Sequence, residues 1–160
     1  PDCFGMLKND NRKKGDQMIQ GKVKRLVNLH GTNDPYELAD IYDIHVSTAW
    51  LPPHIRGFFT LIFGYAYIVL NDCQHNLWKR AVLAHELGHA FLHDHLGCDF
   101  ITMNTLFPIN KFEREANEFA AYLLSYDISP KAGETIEQFA YRVQAPAEIL
   151  KYGFGEDGYQ

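Results

Sequence analysis

The sequence predicts an α+β fold in which a small antiparallel sheet packs on a helical core. Two observations carry this. An aromatic and β-branched stretch from Gly57 to Leu70 is broken once, at Gly64, and reads as a hairpin. Segments of helical periodicity lie before and after it, so helices and strands are segregated and do not alternate.

Taken in order, Ile19 to His30 sets Val23, Leu26, Val27 and His30 at helical spacing. Asn33-Asp34-Pro35 is a helix start, with a capping side chain before a proline suited to the first turn, and the helix is expected to reach Asp43. Ile44-His45-Val46 reads as a short strand. Pro52-Pro53 breaks the chain before the two hairpin strands, Gly57–Phe63 and Tyr65–Leu70. A long helix is expected from Leu77 to Leu96, stopped by Gly97, with Ala81, Ala84, Leu87, Gly88 and Phe91 on an apolar side. A second runs from Lys111 to Tyr126, with Ala116, Phe119, Ala120 and Leu123 in phase. Thr135 with Gln138 forms a capping box for a helix to Val143, and Pro146 opens a last one that ends near Gly153.

The 160 residues suit one domain, 1–160, with about 130–160 as a C-terminal helical extension. Hydrophobic residues at 46% and charged residues at 22% are those of a globular chain, which excludes a disordered tail or a coiled coil. The net charge of -5 argues against direct nucleic-acid binding, although Lys22-Val23-Lys24-Arg25 is locally basic. The run Lys8 to Asp16 reads as a solvated loop. Cys3, Cys73 and Cys98 form no CxxC pair, which fits a reducing compartment. No signal-peptide pattern opens the chain, and the apolar run from Gly57 is too short for a bilayer. The expectation is a cytoplasmic protein with no membrane contact.

The chemistry is in His85-Glu86-Leu87-Gly88-His89, an HExxH pattern within the long helix. Residues four apart on a helix lie ~40° apart, so His85 and His89 stack and can send two imidazole nitrogens to one Zn²⁺. Glu86 is turned about 100° from His85, which directs it to a water on the metal rather than to the metal. From there it can act as general base and then deliver the proton to a leaving amine. A catalytic zinc site takes a third protein ligand, and His93, Glu113, Glu115 and Glu118 are candidates. His93 lacks the glycine break that would bring a third histidine of one helix to the same ion, so a role behind the ligands or in packing suits it better. Small Ala116, next to Glu115, permits a close helix approach.

On these residues the chain resembles the ImmA/IrrE metallopeptidases. The matching segments are Ile68–Asn71, Leu83-Ala84-His85-Glu86-Leu87-Gly88-His89-Ala90-Phe91-Leu92-His93, and Glu113–Leu124 with its ExEANxFAxxLL pattern. The likeness spans roughly Ile55 to Leu124. It implies a zincin-like core with a gluzincin-like Zn²⁺ site: His85 and His89 as ligands, Glu86 as general base, Glu115 as third ligand, and Glu113 as the fallback. It also implies a protein substrate, a helix-turn-helix transcriptional repressor. Ser125-Tyr126-Asp127 departs from the family pattern after Leu123-Leu124 and is expected to shape the cleft. Tyr65, Tyr67 and Tyr122 are minor candidates for stabilising an oxyanion, and the hairpin offers a sheet edge to an extended substrate. His45, His54, His75 and His95 read as surface or capping residues.

Overall fold

In the computed structural model, which describes residues 19–93 and 109–155, the apolar faces expected from the sequence meet in one core. Helix α1 (Ile19–His30) buries Val23, Leu26 and Val27. Helix α2 (Pro35–Ile41) starts where Asp34 accepts from the backbone N–H groups of Tyr36 and Glu37, and it ends two residues before the expected Asp43. The hairpin forms as β2 (Gly57–Ile62) and β3 (Tyr65–Asn71). Its turn places Phe63 at φ 51 and Gly64 at φ 84, the two left-handed residues that match the twist of a tight hairpin.

The sheet is mixed, not wholly antiparallel. Strand β1 (His45–Ala49) runs parallel to β3, with Val46 beside Ile68 and Thr48 beside Leu70, in the order β1-β3-β2. The chain leaves β1 through the Pro52-Pro53 turn and crosses to the far side of β3 before starting β2. Asn71, buried at the end of β3, anchors that crossing. Its side-chain amide donates to the carbonyls of Leu51, at 3.0 Å, and Ile55, at 2.9 Å.

Ala66, Ile68 and Leu70 turn one face of the sheet into the core beside helix α3 (Asn76–Leu92). His75 caps α3 by accepting from the N–H of Leu77. The helix stops at Leu92, with His93 in a non-helical conformation, four residues earlier than the expected Leu96. Gly97, the loop to Pro108, Cys3, Cys98, His95 and the run 8–16 lie outside the described residues.

Helix α4 (Ile109–Leu124) packs along α3. Helix α5 (Ile136–Val143) carries the expected capping box between Thr135 and Gln138. Helix α6 (Ala147–Phe154) closes on α4 so tightly that a Cβ at Gly153 would lie 2.9 Å from the Cβ of Ala121. Phe139 and Leu150 are fully buried. The C-terminal helices therefore belong to the core. Among the described residues no helix is long and apolar enough to cross a membrane.

Candidate metal centre

Two close approaches hold α3 in place and leave one of its faces between them. On one side, a Cβ at Gly88 would sit 3.0 Å from Cα and 3.1 Å from the carbonyl oxygen of Ala116 on α4. On the other, a Cβ at Gly57 of β2 would sit 2.8 Å from a methyl of Val82. With about 100° per residue, Gly88 lies at roughly -60° and Val82 at roughly +60° from His85, and His89 at roughly +40°. The two histidines thus face the gap between α4 and β2. Glu86, near +100°, lies on the β2 side, where it accepts a hydrogen bond from the backbone of Phe59.

The structure brings Glu113, not Glu115, to the histidine pair. Nε2 of His85 and Nε2 of His89 are 3.1 Å apart. One carboxylate oxygen of Glu113 lies 3.4 Å from the first and the other 3.3 Å from the second. Glu115 instead meets Nε2 of His93 at 2.9 Å. The reason is helical phase. Ala116 faces Gly88; Glu113 and Asn117 fall on one side of it, and Glu115 falls about 100° away on the other. Two glutamates two residues apart are ~200° apart on the helix and cannot serve one point.

His85, His89 and Glu113 form a cluster that could hold a metal ion. The two Nε2 atoms stand 3.1 Å apart, each lies 3.3 to 3.4 Å from a different oxygen of Glu113, and one ligand atom from each residue falls within 4.8 Å of the others. The edge of a tetrahedron around an ion with ~2.0–2.1 Å bonds is roughly 3.4 Å, a spacing that the two imidazole nitrogens, at 3.1 Å, approach. Two imidazole nitrogens facing each other beside a carboxylate are a donor set for a divalent cation. The side chains of His85 and His89 are 16% and 9% exposed and that of Glu113 is 43% exposed, so the cluster opens to solvent on the α4 side.

The electrostatics match a cation site. Hydrogen bonds with His85 and His89 hold the Glu113 carboxyl well below the ordinary carboxylate range. Burial works against a charge on His85, but Glu113 and Glu86 outweigh it and raise its pKa. Glu86 is buried, and desolvation pushes its pKa up, partly offset by the two histidines. A carboxyl raised in this way is a stronger base than an exposed one.

Asn117 is the residue the sequence reading left without a role. Its side-chain oxygen meets Nδ1 of His85 at 2.8 Å, which leaves Nε2 for the site. Its position four residues after Glu113, on the same face of α4, was the available signal. The oxyanion candidates lie elsewhere. The Tyr122 hydroxyl donates to the carbonyl of Gly153 at 3.0 Å, and Tyr65 and Tyr67 flank His45 on the sheet face turned away from the core. Glu118 lies outside the cluster, and burial raises its pKa. Ser125 and Tyr126 tie α4 down instead of lining a cleft at the cluster. The Ser125 hydroxyl donates to the carbonyl of Ala121, and the Tyr126 hydroxyl to the side-chain oxygen of Asn28 on α1. They sit ~18 Å along the helix from Glu113, at 1.5 Å per residue.

Residues 39–152 match the family described as the IrrE N-terminal-like domain, Peptidase M78. The chain is 39% identical over 136 residues to the uncharacterized immunity region protein 2 of Bacillus phage phi105, covering 82% of this chain and 86% of that one. It is 28% identical over 152 residues to metallopeptidase ImmA of Bacillus subtilis strain 168, covering 88% and 86%.

Proposed function

The chain belongs to the ImmA/IrrE metallopeptidase family, and from that premise we propose that it is a zinc-dependent endopeptidase whose substrate is a helix-turn-helix transcriptional repressor. The observation that carries the peptidase reading is the juxtaposition of His85, His89 and Glu113 with the buried base Glu86. His85, His89 and Glu113 would hold the ion. When bound, it supplies Lewis acidity toward a peptide carbonyl and toward water.

The chain's own residues do the rest. Asn117 fixes the tautomer and ring plane of His85. Glu86 takes the proton from the attacking water and passes it to the leaving amine nitrogen, so that one carboxylate serves as base and then as acid. The Phe59 backbone holds that carboxylate at the edge of the sheet. Among the described residues β2 pairs with β3 alone. An extended substrate segment can add along the free side of β2, bringing its backbone past Glu86. The repressor as substrate rests on the family likeness and on a relative named for a phage immunity region.

The test is Glu86→Gln, which keeps the size of the side chain and removes the base. The variant should bind one zinc and still bind a helix-turn-helix repressor that wild type cleaves, but cleave it ~10²–10⁴-fold more slowly than wild type. Chelator should abolish wild-type cleavage. Cleavage by Glu86→Gln at the wild-type rate, or a chelator-resistant wild type, refutes the mechanism. If wild type binds helix-turn-helix repressors and releases them intact, the protein is a binding module that keeps the fold.

A further inference from the structure

The structure assigns His93 and Glu115 a joint role: they orient His89 and so set the affinity of the metal centre. This inference rests on the metal-site reading above. The nitrogen of His89 that faces away from Glu113 is Nδ1, and it lies 3.3 Å from Nδ1 of His93. Nε2 of His93 lies 2.9 Å from Glu115. With His89 presenting Nε2 to the site, its Nδ1–H donates to Nδ1 of His93. That leaves His93 the tautomer whose Nε2–H donates to the Glu115 carboxylate. Every proton in the chain then has one place.

His93 is held for this task. Its side chain is only 3% exposed, and Phe112 of α4 packs edge-on to its ring, with centroids 4.8 Å apart at 74°. Plain filling of that space would suit an apolar ring better, since a buried imidazole without partners is costly. Both of its nitrogens have partners, and one of them is a histidine of the metal cluster. The outer carboxylate oxygen of Glu115 is 3.8 Å from exposed Lys111, a surface pair that contributes little. Both cluster histidines are thus steered from α4: His85 by Asn117 directly, and His89 by Glu115 through His93.

The experiment measures zinc affinity by competition with a chromophoric chelator, and the visible spectrum of the Co²⁺-loaded protein, for wild type, His93→Phe, Glu115→Ala, Glu115→Gln and the double variant His93→Phe with Glu115→Ala. Circular dichroism of the metal-free proteins reports folding. His93→Phe and Glu115→Ala should each weaken zinc about 10–100-fold at unchanged one-to-one stoichiometry. The double variant should lose no more than His93→Phe, because the residues act in series. Glu115→Gln, whose amide oxygen still accepts from Nε2–H, should recover most of the Glu115→Ala loss.

Affinities within about twofold of wild type overturn the inference, as do additive losses, since independent sites add. Loss of one-to-one binding in His93→Phe, with a changed Co²⁺ band pattern, overturns it by making His93 a ligand. If His93→Phe does not fold, the half-buried Glu115 pair of variants decides alone. A wild type that takes up no zinc refutes the metal site itself, a result distinct from all of these.

Discussion

Replacing Gly88 with alanine tests whether the contact between α3 and α4 sets the metal centre. In an ordinary helix interior this change stabilises by about 1 kcal/mol, because glycine is the poorer helix former. Here the new Cβ would meet Cα of Ala116 at 3.0 Å, its carbonyl oxygen at 3.1 Å and its Cβ at 3.3 Å. Two of these are backbone atoms and cannot swing aside. Ordinary carbon contacts lie near 3.5–4.0 Å, so the helices must part by ~0.5–1 Å. Overpacking of this kind costs roughly 1–3 kcal/mol, which outweighs the helix-propensity gain and leaves a net loss of up to about 2 kcal/mol. The displacement carries Glu113, one turn from Ala116, away from the histidines. Coordination distances hold within ~0.2 Å, so zinc affinity should fall on the order of 10-fold or more. Urea unfolding of the metal-free protein and chelator competition measure the two effects. A Gly88→Ala protein that gains about 1 kcal/mol, as an unencumbered helix would, and binds zinc like wild type refutes the argument.

Three further outcomes follow from particular residues. Glu113→Ala should abolish one-to-one zinc binding in dialysed protein analysed by mass spectrometry, whereas Glu115→Ala should keep the stoichiometry at a lower affinity; the reverse would return the third-ligand role to Glu115. The bidentate contact with Arg142, helped by the Lys131 backbone, holds the Glu134 carboxyl at about 2, below its ordinary 4.5. A depressed carboxyl adds stability that is present above its unfolded pKa and lost as pH falls toward the folded one. The stability gap between wild type and Glu134→Gln should therefore be constant above pH ~5 and close between ~4.5 and ~2; a gap that persists unchanged at pH 2 refutes the pairing. Phe63 is 98% exposed and sits at φ 51, where a bulky residue is strained. Phe63→Asn should raise stability by about 0.5–1 kcal/mol in thermal unfolding, and a loss of that size would mean the ring has a partner.

Local periodicity made several elements legible before any tertiary contact was known. The spacing of Val23, Leu26 and Val27, the Asp34-Pro35 start, the Thr135 capping box and the Gly64 turn all stand where the chain predicts them. Each depends on residues within four positions of one another. The alignment of His85 with His89 is of the same kind, because one helix turn sets it. The parallel pairing of β1 was not legible. Nothing within Ile44–Val46 says which neighbour it joins, and the crossing depends on Asn71 reaching back to Leu51 and Ile55.

The choice between Glu113 and Glu115 shows where the sequence stops deciding. Both stand in one short acidic stretch, and the small residue beside Glu115, which favours it in the sequence, permits a close helix approach without fixing which carboxylate that approach turns inward. The ranking comes from the rotation of α4 about its own axis, which is set when Ala116 meets Gly88. That contact turns Glu113 and Asn117 toward the cluster histidines and Glu115 toward His93. Tyr122 follows the same rule, since the approach of Gly153 draws its hydroxyl to α6. The sequence by itself determined which helix face carries a stacked pair of imidazoles that could hold a metal, because backbone geometry repeats every turn. Only the tertiary structure decided which carboxylate completes the cluster, because the phase between two helices is fixed by the two atoms that touch and by no periodicity within either one.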